Sequence, residues 1–158
     1  MKSKTDIRTL SEKELNARLV RDLTEVCPAG EREALAAWRA AGAVAALPVV
    51  NAPDQPLAFR PWFPETPLYF DRYGIPTPAE GPWVVPDVLI LPLNAFDAQG
   101  YRLGYGGGFF DRTLAHLRPR PLAIGVGFEI NRVASIAPEA HDQRLDWIFT
   151  EAGGMRPV

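Results

Sequence analysis

Leucines at 15, 19 and 23, with Val26 continuing the stripe, recur at helical spacing through "LSEKELNARLVRDLTEV" (10–26). Ser11 as N-cap and Glu14 three positions on form a capping-box pattern, so a helix is predicted there. A second helix is predicted over the alanine-rich "GEREALAAWRAAG" (30–42), stopped by Gly42. The pattern then changes. "AVAALPVV" (43–50) reads as a buried strand and "PLAFRPW" (56–62) as a short one. "PDVLILPLNAF" (86–96) has the continuous apolar run of a parallel strand covered on both faces. "GGFFDRTLAHLRPR" (107–120) starts a helix at about Phe109. "PLAIGVGFE" (121–129) is another buried strand and "DWIFTEAG" (146–153) a last short one. Helices alternating with apolar strands predict an α/β fold with helices on both sides of the sheet.

Composition narrows this picture. A length of 158 residues argues for a single domain over 1–158, and 47% hydrophobic with 23% charged residues is a globular balance. The chain has sixteen prolines, which crowd between Pro48 and Pro92, where eleven of them lie, so this middle region is expected to be extended segments and turns. The formal net charge of -2 argues against general affinity for nucleic acid or anionic membranes. No apolar stretch approaches the roughly 20 residues that span a bilayer. The N-terminal "MKSKTDIRTLSEKE" has no apolar core of a secretory signal behind its basic residues. The single cysteine, Cys27, cannot close an internal disulfide, and a reducing, cytoplasmic setting is expected. No histidine lies near it in sequence to make it a nucleophile.

The chemistry concentrates in "YRLGYGGGFFDR" (101–112). Four glycines occupy Gly104 to Gly108, broken only by Tyr105, between the strand ending near Leu91 and the helix from Phe109. In open α/β sheets, ligands sit outside the carboxyl ends of the strands. A glycine-rich turn entering a helix lets backbone N–H groups approach an anion, with phosphate the obvious candidate. Arg102 can add charge-assisted bonds, and Asp111 in the first helical turn either favours the helix dipole or holds a cation accompanying phosphate. No G-x-G-x-x-G immediately after a strand and no G-K-[ST] is present, and a simple tight turn remains the alternative. A second cluster, "APEAHDQRLDWIFTE" (137–151), holds His141, Asp142 and Asp146. It is either a solvated loop or, through Asp142 beside Asp111, a partner in holding a hard cation. The aromatics Phe59, Trp62, Phe63, Tyr69, Phe70 and Tyr73 could line a pocket for a planar ligand, and core packing is the expectation for most of them.

Together, "PDVLILPLNAFDAQGYRLGYGGGFFDRTLA", "AIGVGFE" and "HDQRLDWIFTE" closely resemble the 5-formyltetrahydrofolate cyclo-ligase family, with "ALPVV" and "FRPW" as further matching segments. The residues that fit its pattern are Phe96, Asp97, Gly100, Arg102, Leu103, Gly104, Gly106, Gly108, Asp111 and Arg112. The resemblance implies a three-layer α/β/α fold with a mostly parallel sheet. It also implies an ATP- and Mg²⁺-dependent ring closure of 5-formyltetrahydrofolate to 5,10-methenyltetrahydrofolate, with release of ADP and phosphate. By the same resemblance Arg102 and Asp111 are catalytic, and ATP is bound by Arg102, Gly104, Tyr105, Gly106, Gly107, Gly108, Phe109 and Phe110. The reduced folate would contact Glu31, Trp62, Tyr105, Gly108 and Phe109, and Mg²⁺ would be held by Asp111 and Asp142. A monomer, with no nucleic acid or membrane partner, is expected.

The sequence departs from the family pattern at three places. Lys2, Lys4 and Arg8 do not reproduce the basic K-x-x-x-R helix. "VCPAGEREA" contracts an early segment, keeps Glu31 and lacks its threonine. A tyrosine pair is replaced by Phe109–Phe110. A paralogue that binds nucleotide or pterin without ring closure is therefore the alternative function. A purely structural domain requires the glycine loop to be ornamental.

Overall fold

The computed structural model describes residues 37–158. The helix predicted over 10–26, the basic residues Lys2, Lys4 and Arg8, Cys27 and Glu31 lie outside these. The chain forms two compact units, one of residues through Val49 with Phe59–Val84, the other of Val50–Ala58 with Val85–Val158.

In the first unit, helical residues 37–40 end where the sequence places the stop. The Ala41 N–H donates to Ala37 O at 3.0 Å, and Gly42 takes φ 95°, a conformation glycine adopts without strain. Strand β1 (Ala46–Val49) pairs with β2 (Ala58–Pro61). Strands β3 (Leu68–Phe70) and β4 (Pro76–Pro78) form an antiparallel ribbon that the sequence pattern does not announce. Its turn is built by Asp71, whose Oδ1 accepts from the Tyr73 and Ile75 N–H groups at 2.8 and 2.9 Å. Core packing of the aromatics holds for Phe59, which is buried. It is corrected for Phe63, Tyr69 and Phe70, which are exposed, Phe70 by 74%. The ribbon buries its other strand instead, at Thr77 and Pro78 of β4, and leaves all three residues of β3 exposed.

The second unit is built on a four-stranded mixed sheet, ordered β10-β9-β8-β5. Strands β5 (Val88–Pro92), β8 (Leu122–Val126) and β9 (Trp147–Thr150) run parallel, and β10 (Gly153–Met155) returns antiparallel along β9. Leu89 and Leu91 on β5, Ala123 on β8 and Ile148 on β9 are buried, with Leu93, Phe96, Leu114 and Leu145 completing this core. The opposite side chains of β5, Val88 and Ile90, are 46% and 55% exposed. The expectation of a strand covered on both faces therefore holds for one face only. The apolar run cannot by itself distinguish a strand buried on two faces from one whose outer residues are also branched aliphatics.

Between β5 and β8 the chain forms a ribbon of β6 (Ala95–Phe96) and β7 (Arg102–Leu103), then helix α1 (Phe109–His116). The helix starts without a side-chain cap, from Gly108 at φ 65°, ψ 13°, and is closed by Leu117 N–H on Thr113 O. The sequence places its start at the same residue, because the glycine run cannot sustain helix and Phe109 begins the apolar pattern.

Candidate functional site

The stretch read from sequence as one loop, 94–108, is a built structure at the carboxyl end of β5. Asp97 is its hub. The side chain is buried, Oδ1 accepts from the N–H groups of Gln99 and Tyr101 at 3.1 and 3.0 Å, and Oδ2 accepts from Ile136 N–H at 3.0 Å. One carboxylate thus closes the β6–β7 turn and ties segment 133–136 to it, helped by Val133 N–H on Phe96 O at 2.9 Å. Gly100 is required here twice over. It sits at φ 90°, and a Cβ on it would stand 2.6 Å from Pro157. Sequence reasoning names Asp97 as part of a motif and gives it no role. Its signal was the Asp three residues before a glycine, an Asx-turn pattern.

The ribbon delivers Arg102 and the glycines. The Arg102 guanidinium is buried, with 4% of its side chain exposed, and its NH1 donates to Asp111 Oδ1 at 3.0 Å. The same Oδ1 accepts from the Gln143 backbone N–H at 2.9 Å. Asp111 therefore joins β7, α1 and the segment leading into β9. Of the expected pair Asp111 and Asp142, Asp111 bonds the backbone of Gln143, the residue after Asp142. Asp142 itself is partly buried, accepts from Glu139 N–H through Oδ2 at 2.8 Å, and has His141 Nε2 at 3.6 Å from Oδ1. Asp146, in the same cluster, is a structural residue. Its Oδ2 accepts from Ala123 N–H at 2.7 Å and Arg120 at 2.8 Å, fastening β8 to β9.

Above this ion pair lies the glycine loop. Gly104 and Gly106 are exposed, Gly107 and Gly108 half-buried, and Gly106 takes φ 92°. Asn94 Nδ2 donates to Gly104 O at 3.3 Å, pinning the start of the loop. The N–H groups of Tyr105, Gly106, Gly107 and Gly108 donate to no described residue, which leaves them available to an anion. Burial pushes the Tyr105 phenol above its ordinary range, so the ring beside the loop stays neutral. Phe109 and Phe110 lie under two arginines, 4.9 Å from the Arg112 guanidinium carbon and 5.9 Å from that of Arg102. Thr113 locks the helix from below. Its hydroxyl donates to Phe109 O at 2.6 Å and accepts from Leu57 N–H at 2.9 Å.

The residues present fit a magnesium–phosphate ligand. No cluster of three or more His, Cys, Asp or Glu able to hold a metal occurs among the described residues. Mg²⁺, however, takes only one or two carboxylates alongside phosphate oxygens and water. Asp111 Oδ2 has no described donor, and Asp142 Oδ1 has only the long approach of His141. At the carboxyl ends of β8 and β9 a further set converges. Glu129 accepts from Arg132 and from Thr150 Oγ1 at 2.9 Å, and those bonds hold its carboxyl below the usual range. A separate cavity of about 410 Å³, lined by Arg120, Arg144, Leu145, Asp146, Arg156 and Pro157, contains none of the expected site residues. Trp62 belongs to the first unit, where it is half-buried and its backbone N–H donates to Ala45 O at 2.8 Å.

The sequence model of the 5-formyltetrahydrofolate cyclo-ligase family matches residues 25–151. The chain belongs to this family. Among curated cyclo-ligases it is 36% identical over 95 residues to that of Haemophilus influenzae, covering 56% of this chain and 51% of the relative. It is 37% identical over 122 residues to that of Escherichia coli K12, covering 72% of this chain and 65% of the relative. The chain thus spans about half to two thirds of the length of these cyclo-ligases. Its fold resembles the solved Aquifex aeolicus 5,10-methenyltetrahydrofolate synthetase, with a TM-score of 0.64, 26% identity and coverage of 92% of this chain and 80% of that one. The Mycoplasma pneumoniae synthetase shares the fold at a TM-score of 0.56 and 22% identity, covering 87% and 83%. The matched residues include the glycine loop, Arg102, Asp111 and Asp142.

Proposed function

We propose that this chain acts as one cyclo-ligase domain, catalysing the ATP-dependent closure of 5-formyltetrahydrofolate to 5,10-methenyltetrahydrofolate. The observation that supports this best is the glycine loop, tethered at Gly104 O and Gly107 O and following the Arg102 of the Arg102–Asp111 pair, with four backbone N–H groups that donate to no described residue. In the reaction the formyl oxygen takes the terminal phosphoryl group of ATP, N10 attacks the activated carbon, and phosphate leaves with that oxygen. Phosphoryl transfer asks the protein for position and charge neutralisation more than for covalent participation. Backbone N–H groups of 104–108 cradle the phosphates, with Tyr105, Phe109 and Phe110 flanking them. Asp111, through its free Oδ2, and Asp142 hold Mg²⁺, which supplies charge neutralisation when bound. Arg102 orients Asp111 and contributes positive potential beneath the loop. Tyr105, Gly108 and Phe109 meet the folate, together with Trp62 and Glu31. This reading places the protein in the cytoplasm as a monomer within a three-layer α/β/α fold. Among the described residues, no helix is long and apolar enough to cross a membrane.

The Phe109–Phe110 pair favours one alternative, a paralogue that binds nucleotide or pterin without ring closure, because both hydroxyls of the family's tyrosine pair are lost. ADP release distinguishes the two. Release that requires both 5-formyltetrahydrofolate and Mg²⁺ supports the cyclo-ligase. ATP binding with no folate-dependent ADP release supports the paralogue.

A further inference from the structure

Arg112 is a charged residue of the glycine loop region that the reaction as described does not use. It stands in the first turn of α1, and its guanidinium folds back against the loop. NH2 donates to Gly107 O at 2.6 Å, and NH1 lies 2.9 Å from the point where a Cβ on Gly108 would stand. Nε is buried without a partner. No carboxylate among the described residues lies within ion-pair distance of it, whereas Arg102 is paired with Asp111. The ring of Phe109 covers one side at 4.9 Å.

This geometry sets the direction of a backbone donor. A trans peptide points the carbonyl of one residue and the N–H of the next to opposite sides. The only cis bond among the described residues is Arg118–Pro119, so Gly107–Gly108 is trans. With the Gly107 carbonyl held by Arg112, the Gly108 N–H is turned away from the guanidinium, and it donates to no described residue. The same arrangement leaves a positive charge behind the loop with no carboxylate to neutralise it. Gly108 is favoured as glycine by its φ of 65°, with the Arg112 guanidinium packed beside it.

We propose that Arg112 is a positioning residue for nucleotide. It fixes the Gly107–Gly108 peptide so that the Gly108 N–H faces the phosphates, and its charge is balanced by them. The proposal rests on the glycine loop being the ATP cradle. It concerns nucleotide and not folate, because the bond it makes acts on the loop backbone.

The test is direct titration of the purified full chain with MgATP, alongside steady-state kinetics and thermal melting, for the wild type, Arg112→Gln and Arg112→Lys. The Gln variant is expected to bind ATP about tenfold or more weakly, the loss of one charge-assisted bond and its alignment. Its KM for 5-formyltetrahydrofolate should change less than twofold. Arg112→Lys keeps the charge and should recover part of the ATP affinity. Wild-type ATP affinity in Arg112→Gln would overturn this inference alone, as would parallel increases in both KM values with a lowered Tm, the mark of a merely structural arginine. A wild-type chain that binds no ATP would overturn both this inference and the cyclo-ligase reading.

Discussion

Asp111 carries two duties, and they can be separated. It neutralises an arginine that is almost wholly buried, and in the proposed function it offers Oδ2 to a cation. Removing one partner of a buried ion pair leaves an uncompensated charge, which costs about 3 kcal/mol. Asp111→Asn is therefore expected to lower the free energy of unfolding by about that much in urea titration, and to reduce ATP-dependent turnover at least 100-fold. Replacing the pair with apolar residues, Arg102→Met with Asp111→Leu, should restore more than half of the stability, because well-packed apolar side chains substitute for buried ion pairs. It should restore no turnover. Turnover in the double variant at wild-type level would remove Asp111 from the reaction. Asp97 presents the opposite case, a carboxylate whose every duty is structural. Asp97→Ala strands the N–H groups of Gln99, Tyr101 and Ile136 and is expected to destabilise by about 3 kcal/mol. A cost below about 1 kcal/mol by the same titration would show that water takes over those donors.

At the scale of elements, α1 is held at its start by side chains from within and beyond it. Thr113 Oγ1 bridges Phe109 O and Leu57 N–H, so Thr113→Val leaves a buried donor unpaired. A loss of about 1–2 kcal/mol is expected, with Thr113→Ser close to wild type. The ends of β8 and β9 are fastened by Glu129, whose carboxyl is held low first by Arg132 and then by Thr150. A carboxyl depressed in the folded state adds stability above its unfolded value of about 4.3 and loses it as pH falls through the lower native value. Thermal melts from pH 6 to pH 3 should thus show a steeper acid loss in the wild type than in Glu129→Gln, by a small margin because the group faces solvent. Equal slopes would mean that the Arg132 and Thr150 bonds do not persist in solution. The sequence pattern located β5, β8, β9 and the start of α1 because long apolar runs and a glycine-to-aromatic boundary are strong local signals. It did not reveal β3–β4, β6–β7 or β10. These strands have two or three residues, too few for a period, and the turns of the two ribbons are set by Asp71 and Asp97, whose role depends on what their carboxylates reach. The motif spacing singled out Arg102 and Asp111 as candidate site residues. That they pair directly with each other, and that Asp111 also accepts from Gln143 N–H over 30 residues away, was not legible, because spacing carries no information on tertiary hydrogen bonds.

For the molecule as a whole, the central question is whether a chain spanning 51% and 65% of the length of its H. influenzae and E. coli relatives completes the reaction. The residues proposed to bind phosphate and metal lie in the second unit, where Arg102, Asp111 and Gln143 are hydrogen-bonded to one another. The folate contacts expected at Trp62 and Glu31 lie in the first unit or outside the described residues, so folate turnover tests the chain more fully than nucleotide binding does. The decisive measurement is formation of 5,10-methenyltetrahydrofolate by the purified 158-residue chain, followed by absorbance alongside ADP and phosphate release. The account predicts product, ADP and phosphate in equal amounts, only when ATP, Mg²⁺ and 5-formyltetrahydrofolate are all present. ATP binding at the glycine loop with no methenyl product at high enzyme concentration would contradict it.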